Sequence, residues 1–172
     1  TMAFWKAMQF KEEGVNIILL NLEPAEPVEP PFTAMQGDAT ALTLFANQSI
    51  DIVFSNSVIE HLYTWENQQK MAAEVLRVGK HHFIQTPNYW FPIEPHWVLP
   101  FFQYLPKALR CYMTQHFALG HIGKIPNREL AKAQVEEIQL LTQTALKQLF
   151  PSSSLYKEKY AGLNKSFIAH SF

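Results

Sequence analysis

Two adjacent side chains, Glu60 and His61, are the residues of this sequence best suited to acid–base chemistry. Histidine titrates near neutral pH, and a carboxylate can orient an imidazole ring. The pair follows an apolar run over residues 50–56, so we expect it just beyond the end of a strand. An alternative interpretation is that the pair only begins the next helix, and the residues alone leave both interpretations open.

The elements that must position this pair are predicted from apolar runs and from the glycines and prolines that end them. Strands are predicted at residues 15–22, 32–36, 50–56 and 81–85, and helices at residues 1–13, 65–78 and 142–150. Strands that alternate with helices indicate an α/β fold with a parallel sheet, because parallel neighbours need crossover connections. Residues 154–160 and 165–172 predict a closing antiparallel hairpin at the sheet edge.

Ligands of open parallel sheets bind beyond the carboxyl ends of the strands. In this sequence those ends fall at residues 21–23, 37–40, 55–61 and 86–88. These positions also carry a family resemblance. Residues 37–40 (Gly-Asp-Ala-Thr), 49–62 and 71–78 resemble the central motifs of the class I S-adenosylmethionine-dependent methyltransferases. Residues 83–88 and 91–96 resemble a bacterial subgroup with methyltransferase-type-11-like domains.

The resemblance implies a Rossmann-like, doubly wound and mostly parallel sheet with an antiparallel C-terminal edge hairpin. It also implies that the cofactor S-adenosyl-L-methionine (SAM) lies across the ends of the first four strands of the family sheet. Residues of three strand ends match the cofactor contacts of the family. These residues are Asn21 and Leu22 beside the ribose, Asp38 and Ala39 at the adenine, and Asn56, Ser57 and His61 near the methionyl group.

Two of these matches have plainer interpretations. The family places a carboxylate at the ribose position, whereas this chain has Asn21, which also suits the simple end of a strand. An amide still binds a hydroxyl group, although its neutral hydrogen bond is weaker than a charged one. Asp38 follows Gly37, where an aspartate often accepts a hydrogen bond from its own backbone two residues on.

An aromatic and proline-rich stretch begins at Tyr89 and is predicted to form an insertion or lid over residues 89–139. In the family this region leads towards the methyl acceptor, so the resemblance implies acceptor contacts from Asn88, Trp90, Glu94 and His96. A satellite core is one alternative for the aromatic rings. A patch that touches a membrane surface is another, because tryptophan and tyrosine favour such interfaces.

The composition narrows the class of protein further. The formal net charge of −1 leaves no basic excess, so nucleic acid is not an expected partner. The single cysteine, Cys111, suits a reducing cytoplasm, and no apolar stretch is long enough to predict a transmembrane helix. The seven histidines show no short-spaced ligand motif, so no metal site is predicted.

We therefore expect a single methyltransferase-like domain over residues 1–172, with SAM as cofactor and a small or lipid-linked molecule as acceptor. His61 and Glu60 are the expected catalytic residues. The glycine-rich loop of the family, and the strand before it, have no counterpart here, which predicts that this chain is the C-terminal portion of a longer protein. The alternative is a degenerate, non-catalytic binding domain, which the missing loop and Asn21 favour.

Overall fold

The computed structural model describes residues 14–24 and 28–172 of the chain. The chain divides into two compact units, residues 1–44 and residues 45–172. The helix predicted at residues 1–13 lies outside the described residues. A single domain over residues 1–172 stays a prediction, as does the role of residues 89–139 as a lid.

The first unit contains two parallel strands, β1 (Ile17–Asn21) and β2 (Phe32–Gln36). Ile17 is opposite Phe32 and Asn21 is opposite Gln36, so both strands end at the same edge. The amide of Gly37 donates to the carbonyl of Asn21 over 2.8 Å, which continues the pairing one residue beyond β2. The segments that follow the two strands therefore begin side by side.

The second unit is built on a four-stranded mixed sheet. Its strands are β3 (Ile50–Asn56), β4 (Gly79–Pro87), β7 (Ser154–Tyr160) and β8 (Leu163–His170), in the order β3-β4-β8-β7. Strands β3 and β4 are parallel, whereas β8 pairs antiparallel with both β4 and β7. The predicted C-terminal hairpin is thus present, and its turn contains Ala161 and Gly162 with positive φ angles.

Helix α1 (Trp65–Val78) connects β3 to β4 as the crossover that parallel strands require. Its N-cap, Thr64, accepts a hydrogen bond from the Asn67 amide over 3.2 Å. Its buried positions recur at helical spacing, at Gln68, Met71, Ala72, Val75 and Val78. Helix α4 (Gln143–Leu149) follows its N-cap Thr142, whose hydroxyl group accepts from the Ala145 amide over 3.1 Å.

Residues 89–139 fold on a small core of their own. They contain the short antiparallel strands β5 (Ile93–Glu94) and β6 (Leu99–Pro100), and the helices α2 (Lys107–His116) and α3 (Arg128–Glu137). The buried cluster consists of Trp97, Phe102, Val135 and Ile138, and the first two rings stack 4.5 Å apart. For these two rings the satellite-core interpretation is therefore correct.

The α/β fold class predicted from the alternation of elements is confirmed. Strand β4 extends beyond the predicted 81–85 at both ends, because it begins directly at Gly79, where helix α1 ends, and continues to Pro87. None of the described helices combines the length and the apolar character needed to cross a bilayer.

Candidate active site

The chain leaves strand β3 through a backbone conformation that non-glycine residues rarely adopt. Ser57 has a φ of +54°, and its amide donates to the carbonyl of Gln85 on β4 over 3.1 Å. The Ser57 hydroxyl group also donates to Gln85 Oε1 over 2.9 Å. This turn leads into a 3₁₀ helix, Ile59–His61. Successive side chains of a 3₁₀ helix leave the helix axis about 120° apart, so Glu60 and His61 meet different neighbours.

Glu60 is fully buried beside strand β4. Its Oε2 atom accepts a hydrogen bond from the Thr86 hydroxyl group over 3.0 Å. Its Oε1 atom is buried and has no hydrogen-bond partner among the described residues. Burial raises the pKa of Glu60 above the ordinary value, although a backbone hydrogen bond, His61, Thr86 and His96 oppose the rise.

His61 contacts a carboxylate that is distant in sequence. Its Nδ1 atom lies 3.0 Å from Oε1 of Glu137, the last residue of helix α3. Among the described residues it is therefore Glu137, and not the neighbouring Glu60, that forms the hydrogen bond to the His61 ring. Glu137 was missed since it lies 76 residues after His61 in the chain, and no local spacing connects the two.

His96 is oriented in the same way by Glu94. Its Nδ1 atom lies 2.6 Å from Glu94 Oε1, while Glu94 Oε2 accepts from the amides of His96 and Trp97 over 2.7 and 2.8 Å. Burial disfavours the charged ring. The hydrogen bond and negative charge of Glu94, together with the charges of Glu60 and Glu137, outweigh burial and raise the pKa of His96.

The two imidazole rings meet at their remaining nitrogen atoms. Nε2 of His61 and Nε2 of His96 are 3.2 Å apart, and the ring planes are nearly perpendicular. We call this group the histidine–carboxylate cluster. Its members are Glu60, His61, Glu94, His96 and Glu137.

The backbone around the cluster is held by a buried glutamine of helix α1. Gln68 Nε2 donates to the carbonyls of Ile59 and Gln139 over 3.1 and 2.9 Å. The amide of Gln139 in turn donates to the Glu60 carbonyl over 2.7 Å. These bonds tie the 3₁₀ helix to the segment directly after Glu137, so the positions of Glu60, His61 and Glu137 are coupled.

The predicted cofactor residues of the first unit lie beyond its two strand ends. Asn21 and Leu22 are exposed at the end of β1. Asp38 is also exposed, and its Oδ1 atom accepts from the Thr40 amide and hydroxyl group over 2.7 and 2.8 Å. The backbone-turn interpretation of Asp38 therefore describes its present contacts, and its role at adenine stays a prediction.

The remaining predicted residues differ in their surroundings. Asn56 is exposed at the end of β3. Asn88 braces the backbone, because its amide group donates to the Asn164 carbonyl over 2.8 Å and its Oδ1 accepts from the Trp90 amide over 3.0 Å. The Trp90 side chain is 65% exposed and lies against Tyr104. The cofactor role of Asn56 and the acceptor-binding roles of Asn88 and Trp90 stay predictions.

Residues 7–82 match a family model described as a methyltransferase domain. This segment contains both strand ends of the first unit and the Glu60-His61 pair of the second. The resemblance to the class I methyltransferases is therefore confirmed, and the chain carries the Rossmann-like α/β fold of that class.

The chain is also similar to proteins without a stated activity. It is 31% identical over 106 residues to a curated, uncharacterized protein of Mycobacterium tuberculosis, a match that covers 62% of this chain and 33% of that protein. The chain thus spans about a third of the length of the curated relatives it matches.

Two crystal structures share the fold. The PH0226 protein from Pyrococcus horikoshii OT3 is 15% identical with a TM-score of 0.53, and the match covers 98% of this chain and 74% of that chain. A possible exported protein from Bordetella parapertussis is 12% identical with a TM-score of 0.53, and here the match covers 91% and 53%.

Proposed function

We propose that the protein transfers a methyl group from SAM to a small or lipid-linked acceptor. The observation that carries this proposal is the methyltransferase-domain match over residues 7–82. The matched segment includes Asn21, Asp38 and the strand end of β3, which are the positions that the family uses for its cofactor. It also includes Glu60 and His61, around which the histidine–carboxylate cluster is built.

The residues after β2 have hydrogen-bonding groups that fit an adenine ring. Asp38 presents an exposed carboxylate, which can accept from an exocyclic amine. In the part of the chain that the structure describes, the amides of Gly37, Thr40 and Ala41 donate to protein acceptors, whereas the Ala39 amide donates to none. Oδ1 of Asp38 already accepts from Thr40, so its other carboxylate oxygen would accept from the exocyclic amine while the Ala39 amide donates to a ring nitrogen.

SAM, when bound, supplies an electrophilic methyl group. The chain must then position and activate the acceptor atom, and we assign this role to His61 and Glu60. The side chain of His61 is 31% exposed, so an acceptor can reach it from solvent, whereas Glu60 is fully buried. Correct alignment of the reacting atoms can contribute much of the acceleration of such a displacement.

The surroundings of Glu94 support an acceptor with a polar group. A cavity of about 140 Å³ is lined by Glu94, Tyr89, Gln103 and Arg110, among others. Gln103 Oε1 and Arg110 Nε are buried there without hydrogen-bond partners among the described residues. Buried polar atoms without partners are costly, so a bound polar group would stabilise them.

Exposed aromatic rings support an acceptor with an apolar portion as well. Trp90 and Phe101 are 65% and 56% exposed, and each ring centroid lies about 6 Å from that of Tyr104. Contact of this region with anionic lipid headgroups through Lys107 and Arg110 is not favoured. Lys107 pairs with Glu136, and Arg110 lines the cavity.

Methyl-labelled SAM tests the proposal when it is incubated with the protein and either a lipid extract or an extract of polar small molecules. We expect label in one acceptor fraction, and a loss of rate of about 100-fold in His61→Ala, in the range of acid–base contributions. His116→Ala is the matched control, because His116 is exposed and contacts Tyr112 rather than the cluster. An unchanged rate in His61→Ala would refute the assigned role.

The alternative function is a binding domain without catalysis. The exposed Asp38, whose contacts are those of a local backbone turn, and the amide of Asn21 in place of a carboxylate favour it. Absence of both SAM binding and label transfer would support this alternative and contradict methyl transfer.

A further inference from the structure

The histidine–carboxylate cluster has the arrangement of a metal-binding site. We propose that Glu60, His61 and His96 bind a divalent transition-metal ion, and that Zn²⁺ is the ion whose ligand preferences they meet best. One ligand atom from each of these three residues lies within 4.8 Å of the other two. Two imidazoles and one carboxylate with an open fourth position are a ligand set used by catalytic zinc sites.

The hydrogen bonds of the two rings determine which nitrogen atoms are available to a metal. An ionised carboxylate can only accept, so Nδ1 of His61 must donate to Glu137 and Nδ1 of His96 must donate to Glu94. A neutral ring that is protonated at Nδ1 has a lone pair at Nε2. Metal-binding histidines commonly donate their other nitrogen to a carboxylate in this way.

The distance between the two Nε2 atoms matches the distance expected for two nitrogen ligands of one metal ion. Nitrogen atoms bound to one zinc ion at about 2.05 Å with a tetrahedral angle lie about 3.3 Å apart. In the structure the Nε2 atoms of His61 and His96 are 3.2 Å apart. Two facing lone pairs at this distance repel one another unless a proton or a cation lies between them.

Glu60 supplies a second, independent indication of a ligand. Its side chain is fully buried, and its Oε1 atom has no hydrogen-bond partner among the described residues. Such an atom normally costs folding free energy, because a buried acceptor loses its water without replacement. The Oε2 atom is oriented by the Thr86 hydroxyl group, which leaves Oε1 as the available ligand atom.

The charges around the cluster also favour a cation. Glu60, Glu94 and Glu137 bring three carboxylates together, and among the described residues no lysine or arginine forms an ion pair with any of them. An ion at the cluster would offset this negative charge. Because one coordination position of the ion stays open, the ion could polarise a hydroxyl group of the acceptor. This last step rests on the proposed methyl transfer, whereas metal binding does not.

The test is titration of chelator-treated protein with Zn²⁺ by calorimetry and with Co²⁺ by visible spectroscopy. We expect one equivalent of each ion to bind, with the intense Co²⁺ bands of a low-coordinate site. His61→Gln and His96→Gln should each weaken binding at least about 100-fold, and Glu137→Gln should weaken it about 10- to 100-fold. His116→Gln, outside the cluster, should bind like the wild type.

Circular dichroism would verify that each variant is folded, and the two single histidine variants serve as independent tests. Absence of binding in the folded wild type would overturn the proposal. Binding that survives in the double variant His61→Gln/His96→Gln would overturn it as well. Titration of the same samples with SAM tests the proposed function independently. A failure of metal binding can therefore be distinguished from a failure of SAM binding.

Discussion

Gly120 allows its loop to approach the backbone of Trp97 closely. Its φ is +56°, and a Cβ atom at this position would lie 2.4 Å from both the carbonyl carbon and the oxygen of Trp97. The next residue, His121, donates its amide to the His96 carbonyl over 2.9 Å. Gly120→Ala therefore disturbs the segment that presents His96 to the cluster.

The cost of Gly120→Ala has two parts. A left-handed backbone conformation costs a non-glycine residue about 1–2 kcal/mol. The contact at 2.4 Å involves backbone atoms, so the chain must shift, and such overpacking costs about 1–3 kcal/mol. We expect Gly120→Ala to lower the free energy of unfolding by about 2–5 kcal/mol, which for a protein of this size lowers Tm by roughly 4–20 °C.

Gly123→Ala is the matched control for this measurement. It makes the same substitution three residues further on, where a Cβ atom would meet nothing within 4 Å. Urea denaturation of the wild type and the two variants measures the difference in the free energy of unfolding. Equal stability of Gly120→Ala and Gly123→Ala would refute the reasoning about the close approach.

Three further predictions concern other parts of the chain. Asp38→Ala should weaken SAM binding about tenfold, or ~1.4 kcal/mol, in calorimetry, and an unchanged Kd would remove Asp38 from the site. Thr114→Val leaves the buried Trp97 Nε1, which donates to the Thr114 hydroxyl group over 3.0 Å, without its partner. The loss in urea denaturation should be about 1–3 kcal/mol, and a negligible loss would show that this bond does not stabilise the core. Burial, assisted by His170 and His81, lowers the pKa of His82, so the unfolded chain binds more protons than the folded one. The stability that depends on neutral His82 is therefore complete above the ordinary pKa of about 6.5 and declines as the pH falls through it. His82→Gln should reduce the decline in the free energy of unfolding between about pH 8 and pH 5. An unaltered slope would show that His82 does not cause this decline.

The strands and the crossover helix were predictable because their signals are local. Helix α1 has its cap at Thr64, its apolar positions at helical spacing and Gly79 at its end, and its predicted range of 65–78 is the observed one. The antiparallel hairpin was similarly indicated by two short extended segments on either side of the turn at Gly162.

The composition of the site was only partly predictable, since its contacts join distant segments. The sequence singled out four of its five members, but in two separate roles. Glu60 and His61 were the expected catalytic pair, and Glu94 and His96 were expected acceptor contacts. The contact between the two rings spans 35 residues, and Glu137 lies at the end of a helix with no motif around it. Spacing rules detect ligands that share one helix or loop, so they could not detect this cluster.

The most direct test of the central claim is a calorimetric titration of SAM into the protein, with reduced nicotinamide cofactor as the control ligand. We predict binding of SAM at one site with a Kd of roughly 1–100 µM, and no heat from the nicotinamide cofactor. Binding of the nicotinamide cofactor without any binding of SAM would contradict the account.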